Sequence, residues 1–213
     1  RLHVAHLSSA LGLDAAEAAM RMGTYMTLET CPQFLWLSDQ DFDQAGNFMK
    51  MLPPVRTAAD RAALVDGLSR GVITIVGTDH APHTDDEKSR SLEEAPPGSP
   101  GVQTLYVSCL ELARRMGDVW QAPRWVSEAP AALAGLSRSK GVIAPGYDAD
   151  LVVVDPKGRT RARAQEMRSR QRHSAMEGKE FGFAVKHVYL RGQPVGGTRR
   201  PRGRMVRPAG GGR

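Results

Sequence analysis

Residues 57–88 read TAADRAALVDGLSRGVITIVGTDHAPHTDDEK, and this stretch decides the fold. Thr57-Ala-Ala-Asp60 has the form of an N-terminal capping box with Asp in place of Glu, and Leu64, Val65 and Leu68 supply the apolar face of the helix it opens. Gly71 ends that helix. Val72–Gly77 (VITIVG) is continuous and β-branched, as expected of a strand covered on both faces of a parallel sheet. Polar residues arrive the moment the strand stops: Asp79, His80 and His83 lie within GTDHAPHT.

The same alternation extends upstream. Leu2–Leu7 is a short apolar run, a helix is expected from Asp14 (as N-cap) to Met22 with Gly23 as its stop, and Met26–Thr30 is a second short run. An irregular stretch then reaches the Pro53-Pro54 pair. Strand and helix at this spacing give βα units with right-handed crossovers, hence an α/β fold. Downstream, a Pro/Gly-rich loop (93–101) precedes an expected helix over Val102–Met116 and two shorter ones around Pro123–Glu128 and Pro130–Leu136. Leu151–Asp155 (LVVVD) and Ala184–Leu190 read as strands, the second followed by a turn at Gly192. Arg159–Arg172 holds six arginines and one glutamate, which reads as a solvated, mobile surface segment.

Composition narrows the function classes. The 29 Lys and Arg exceed the 23 Asp and Glu by six, and residues 196–213 alone carry six arginines and no acid, so the body is neutral. A basic Gly/Pro tail is expected to be disordered, and a neutral body with 6% aromatics offers neither a basic face nor a stacking platform for nucleic acid. No apolar run approaches a membrane span, so no membrane partner is expected. Two cysteines, Cys31 and Cys109, are too few for a disulfide scaffold and read as inert small hydrophobes in a reducing, cytoplasmic setting. The chain opens with Arg1 and runs directly into LHVAHLS, so an upstream portion of something longer is expected.

In parallel α/β sheets, ligand-facing groups sit just beyond the carboxyl ends of strands. His6 ends the first run and Asp79 follows VITIVG; imidazole and carboxylate are both ligands for zinc-type ions, which make bound water more acidic. Each has a plainer reading: a lone strand-end histidine is more often hydrogen-bonded than ligating, His80 could pack behind the strand, and the Pro53-Pro54 pair could be a rigid turn. His3 faces away from His6 by strand alternation and is given no role. Ser8, Ser9 and Cys31 lack a partnered base, which disfavours a covalent nucleophile.

Taken in order, HVAHLSSA (3–10), ETCPQFL (29–35), MLPPVR (51–56), GTDHAPHTDDEK (77–88), PPGSPGVQT (96–104), SEAPAALAGL (127–136), KGVIAPGYDADLVVVD (140–155), SAMEG (174–178) and VYLRGQPV (188–195) resemble the carboxyl-terminal half of a cyclic amidohydrolase of the dihydroorotase, hydantoinase and allantoinase group. The resemblance implies the second half of a TIM-type (β/α)8 barrel over residues 1–138 and part of a small β-sandwich domain over 139–195, with the tail (196–213) outside it. A barrel of this kind needs about 250 residues, so 213 reads as a deficit. It also implies a binuclear zinc centre in the complete protein, a small cyclic amide as substrate and a homo-oligomeric assembly. By the same resemblance His6 is a metal ligand, and Asp79 is both a metal ligand and the group that moves the proton to the departing ring nitrogen. His83 contacts a substrate carboxylate; Leu52, Pro97 and Gly98 line the substrate with backbone groups. The remaining ligands would lie upstream, so the isolated chain is expected to be inactive.

Within the group, His83 leans towards dihydroorotase. Leu52, standing where dihydroorotases usually present asparagine, counts against dihydroorotate as substrate, and Gln33, where dihydroorotases and allantoinases usually carry histidine, leans towards hydantoinase-like members. Dihydroorotase is placed first, with hydantoinase, dihydropyrimidinase or allantoinase as the alternative and a non-catalytic assembly partner as the reading from another class.

Overall fold

The computed structural model describes residues 1–196 and 203–208. The rest of the basic tail, for which disorder was expected, lies outside the described residues. Among the described residues β1 (Leu2–Val4), β2 (Met26–Thr30) and β3 (Ile75–Val76) form a parallel sheet in that order. The register sets Val4 beside Leu28, then Glu29 beside Ile75 and Thr30 beside Val76. Helix α1 (Ala10–Arg21) lies between β1 and β2; α2 (Pro32–Trp36) and α3 (Ala58–Ser69) lie between β2 and β3. Leu13, Leu28, Leu64, Leu68, Ile73 and Val76, all buried, make the core between sheet and helices. Gly67 costs α3 about 1 kcal/mol of helix propensity relative to alanine. A Cβ there would come within 2.8 Å of Leu13, so the glycine lets α1 and α3 approach.

Helix α1 starts earlier than the sequence suggests. Ser9, not Asp14, is its N-cap, accepting from the Gly12 amide at 3.1 Å. The reason is a second acceptor that only the fold supplies. The capping box of α3 forms as read, with Thr57 and Asp60 bonded reciprocally. The other oxygen of Asp60 accepts the Ala10 amide of α1 at 2.8 Å. One carboxylate thus closes the exposed amide ends of two helices. The strand read over Val72–Gly77 shortens to Ile75–Val76, because the Val72 and Ile73 amides donate to the Gly67 carbonyl and close the end of α3.

Beyond the sheet come α4 (Asp85–Lys88) and α5 (Val102–Arg115). The two helices read around Pro123 and Pro130 are one, α6, which runs from Gln121–Pro123 through a π-helical stretch at Arg124–Glu128 into Ala129–Leu133. Pro130 has no amide to give the carbonyl four residues back, and the wider turn before it takes up the mismatch. The chain then builds an antiparallel sheet of β4 (Leu151–Asp155), β7 (Ala184–Leu190) and β8 (Gln193–Pro194), and a pair β5 (Thr160–Arg161) with β6 (Glu180–Phe181). Arg191 and Gly192, both at positive φ, make the two-residue turn between β7 and β8.

The arginine-rich segment is the main correction. Ala162, Ala164 and Met167 are buried and Gln171 has no solvent exposure at all, so 159–172 is an anchored segment, not a mobile one. Its arginines point outward while the short residues between them pack inward. Phe181 stacks edge-on against Trp36 at 5.2 Å, and Glu111 of α5 accepts the Gly182 amide at 3.1 Å, which joins this region to the α/β body. No helix among the described residues is long and apolar enough to cross a membrane.

Hydrogen bonds from the Thr57 hydroxyl and the Ala10 amide hold the Asp60 carboxyl below the usual carboxylate range. Its contribution is therefore complete above about pH 4 and is lost as the pH falls below that. Asp60→Ala should lower stability by about 1–2 kcal/mol at neutral pH. The gap from wild type should close in acid, as read by urea midpoints measured across pH.

Candidate active site

Both sequence-read metal positions carry the same backbone device. His6 follows β1 and Asp79 follows β3, and each adopts a left-handed conformation, with φ of 42° and 46°. Such a conformation costs a non-glycine residue about 1–2 kcal/mol, and it re-aims the side chain at the end of a strand. At His6 it also breaks the strand alternation that would set His3 and His6 on opposite faces.

What holds the two bends is Thr30, at the end of the strand between them. Its hydroxyl, fully buried, donates to the Leu7 carbonyl at 2.8 Å, and its carbonyl accepts the Gly77 amide at 2.9 Å. The Leu7 amide in turn donates to the Glu29 carbonyl at 2.8 Å. Neither the His6 imidazole nor the Asp79 carboxylate has a hydrogen bond or ion pair among the described residues, although both are half-buried. A half-buried imidazole and a half-buried carboxylate without protein partners, at strand ends tied together, form a donor set that suits a divalent ion. Among the described residues no group of three or more His, Cys, Asp or Glu side chains converges, so these two would form only part of a ligand set.

Neighbouring residues take structural roles. His80 accepts the Gly101 and Val102 amides on Nδ1, at 3.1 and 3.4 Å, and so caps α5, whose own N-cap is a glycine. His80 is exposed, so it does not pack behind the strand; its role is this cap. Gln33 is buried with Nε2 3.5 Å from the Thr78 carbonyl, one residue from Asp79. Burial pushes the Cys31 thiol far up, and the Glu29 and Asp79 charges add to it; burial pushes Cys109 up to about 12. Neither is a thiolate at neutral pH, which leaves no cysteine nucleophile.

His83, Pro97 and Gly98 come together through loops, and Gly98 is bonded to the loop that carries Leu52. His83 donates from Nε2 to the Pro97 carbonyl at 3.1 Å, and its backbone amide donates to the buried Gln171 side chain at 2.9 Å. The Gly98 amide donates to the Lys50 carbonyl at 2.9 Å, two residues before Leu52, whose side chain is exposed. Gly98 has φ of 142°, and a Cβ there would meet the Ala81 carbonyl oxygen at 2.2 Å, so only glycine fits. Within the Pro97–Gly98 pair, the Pro97 carbonyl is the group left facing outward.

Three residues in this arrangement were not singled out from sequence: Thr30, Gln171 and Lys88. Lys88 is 1% exposed, and its ammonium donates to the carbonyls of Lys50, Pro96 and Gly98 at 2.9–3.0 Å. Burial, and then the nearby Lys50 charge, lower it to about 8. In sequence it closes an acidic run, DDEK, that reads as surface; the surrounding Gly/Pro-rich loop is the one available hint that backbone carbonyls would need a donor.

Comparison with known proteins places most of the chain in one family. A sequence profile of the amidohydrolase family matches residues 2–195. The chain is 41% identical over 195 residues to a dihydroorotase from Halobacterium salinarum, covering 91% of this chain and 44% of that protein. It is 35% identical over 210 residues to an allantoinase from Streptomyces avermitilis, covering 97% and 47%. Among solved structures it superposes on the dihydropyrimidinase from Brevibacillus agri with a TM-score of 0.86 at 26% identity, and on an L-hydantoinase (dihydropyrimidinase) from Arthrobacter aurescens with 0.85 at 30%. In both cases 92% of this chain covers 44% of the other. The chain thus spans less than half the length of these relatives.

Thr30→Val keeps shape and burial but leaves the Leu7 carbonyl without its donor, and should cost about 1–3 kcal/mol. At His6, glycine should be about 1 kcal/mol more stable than alanine, because relief of the left-handed backbone outweighs glycine's greater freedom in the unfolded chain. Denaturant unfolding of metal-free protein measures both.

Proposed function

The chain belongs to the amidohydrolase family, and on that premise we propose that it is the carboxyl-terminal part of an enzyme that hydrolyses a C–N bond in a cyclic amide. In this reading the sheet of β1, β2 and β3 is the last portion of a TIM-type barrel, residues 1–138. The strands of 139–195 belong to a small β domain that other parts of the complete protein would finish. The observation that carries the reading is the pair of left-handed residues at strand ends, His6 and Asp79, whose near neighbours Leu7 and Gly77 are both bonded to Thr30.

His6 and Asp79 would hold zinc together with donors from elsewhere in the complete protein, and the ion when bound supplies a Lewis acid and makes water a nucleophile at neutral pH. The chain's own residues do the rest. Asp79 takes the proton from the attacking water and delivers it to the ring nitrogen as the C–N bond breaks, so acid and base are one group used in sequence. Its left-handed backbone fixes the carboxylate in advance. His83, whose backbone amide is held by Gln171, would turn its ring N–H from the Pro97 carbonyl to an anionic group of the substrate. No covalent intermediate is needed, in keeping with two buried cysteines raised well above neutral.

A ring amide bearing a carboxylate, as dihydroorotate does, is the substrate His83 favours, and the 41% identity to a dihydroorotase supports it. A second reading rests on Leu52 and Gln33. An exposed leucine and a buried amide turned to the Thr78 carbonyl suit an uncharged ring such as a hydantoin.

In the complete zinc-loaded protein, Asp79→Asn should cut kcat by about 10²–10⁴-fold with thermal stability little changed. Normal turnover would remove Asp79 from the mechanism. His83→Ala should raise KM about tenfold for dihydroorotate, whose carboxylate it meets, and by a smaller factor for an uncharged ring, which offers only a neutral acceptor. A wild type that hydrolyses the uncharged ring but not dihydroorotate would decide for the second reading, and one that hydrolyses neither would sink both.

A further inference from the structure

Three successive carbonyls in the loop before α5 are assigned in alternation. Those of Pro96 and Gly98 turn inward to the Lys88 ammonium, at 3.0 and 2.9 Å, and that of Pro97 turns outward to the His83 ring at 3.1 Å. The third donor of Lys88 goes to the Lys50 carbonyl, which also takes the Gly98 amide, so one buried cation spans two loops. Among the described residues no carboxylate pairs with it. A buried charge without a counter-ion is costly, and a neutral residue would fill the same volume more cheaply. What an ammonium provides, and a neutral chain does not, is three strong donors diverging from one point.

We propose that Lys88 is a positioning residue for substrate recognition: it fixes the peptide planes on both sides of Pro97–Gly98, so that the Pro97 carbonyl and the His83 ring are presented together as one acceptor and one donor. The proposal rests on the reading that this pair faces a cyclic amide. Such a ring offers complementary groups, an N–H to meet the Pro97 carbonyl and an acceptor to meet His83. Gly98 keeps its unusual backbone because it is wedged between Ala81 on one side and Lys50 and Lys88 on the other. Gln171 secures the opposite flank of the loop through the His83 amide.

The test uses the complete zinc-loaded protein with Lys88→Met and Lys88→Arg. Two readouts are followed: hydrogen exchange of the Gly98 amide, and the split between KM and kcat for whichever ring amide the wild type hydrolyses. Lys88→Met is expected to raise Gly98 exchange and KM each about tenfold while kcat changes by no more than about threefold. Lys88→Arg, whose planar fork cannot serve three diverging carbonyls, is expected to fall between. Unchanged exchange and KM in a folded Lys88→Met overturns the assignment, as does a kcat loss in step with lost folded protein. Should the Met variant not fold, a Lys88→Arg protein indistinguishable from wild type in both readouts overturns it equally. A wild type that hydrolyses no ring amide overturns the functional reading only, and Gly98 exchange then decides the role of Lys88.

Discussion

Thr30 makes two hydrogen bonds that the rest of the site depends on. Its hydroxyl reaches across to the Leu7 carbonyl beyond β1, and its own carbonyl takes the Gly77 amide leading out of β3. Parallel strands bring their carboxyl ends to one edge of a sheet, but that alone does not fix the loops that leave them. Here the middle strand ends in a side chain short enough to stay buried and polar enough to grip a neighbour. Because both His6 and Asp79 lie within two residues of a group bonded to Thr30, their left-handed backbones are braced from one point. Strain of this kind persists only where the surroundings over-determine it.

Much of this was legible in the sequence because it is local. A strand-end histidine and a strand-end aspartate are visible from the apolar runs before them, and the capping box at Thr57 and Asp60 is visible from spacing alone. The second use of Asp60, at the Ala10 amide, was not, because it joins residues 50 apart and moves the start of α1 from Asp14 to Ser9. The shortening of β3 has the same origin, since the end of α3 claims the Val72 and Ile73 amides before the strand can.

Residues 159–172 show how a charge count misleads. Six arginines in fourteen positions describe a surface, and all six are exposed. What decides the segment's order is the minority of short or uncharged residues, above all Gln171, which bonds the His83 amide with one end of its side chain and the His173 carbonyl with the other. A fully buried amide with both ends satisfied pins backbone as firmly as an apolar residue and adds direction. Lys88 hid for the opposite reason: it stands beside three acids in sequence, yet its ammonium turns away from all of them towards carbonyls.

On the proposed reading, these two hidden residues explain why the recognition side of the site is built from so few exposed groups. Gly98 has given its amide to Lys50 and its carbonyl to Lys88, Pro97 has no amide, and Leu52 offers solvent an apolar side chain. The polar groups that remain outward are the Pro97 carbonyl and the His83 ring, already 3.1 Å apart. A ligand must therefore compete for a bond that exists without it, and gains only if its own donor and acceptor replace that bond with better ones. A ring amide carries both kinds of group at a fixed separation, whereas a ligand with one kind alone leaves a partner unsatisfied, at a cost of about 1–3 kcal/mol. Selectivity at such a site follows from how rigidly the loop holds its two groups, and that rigidity resides in Lys88 and Gln171, neither of which needs to touch the ligand.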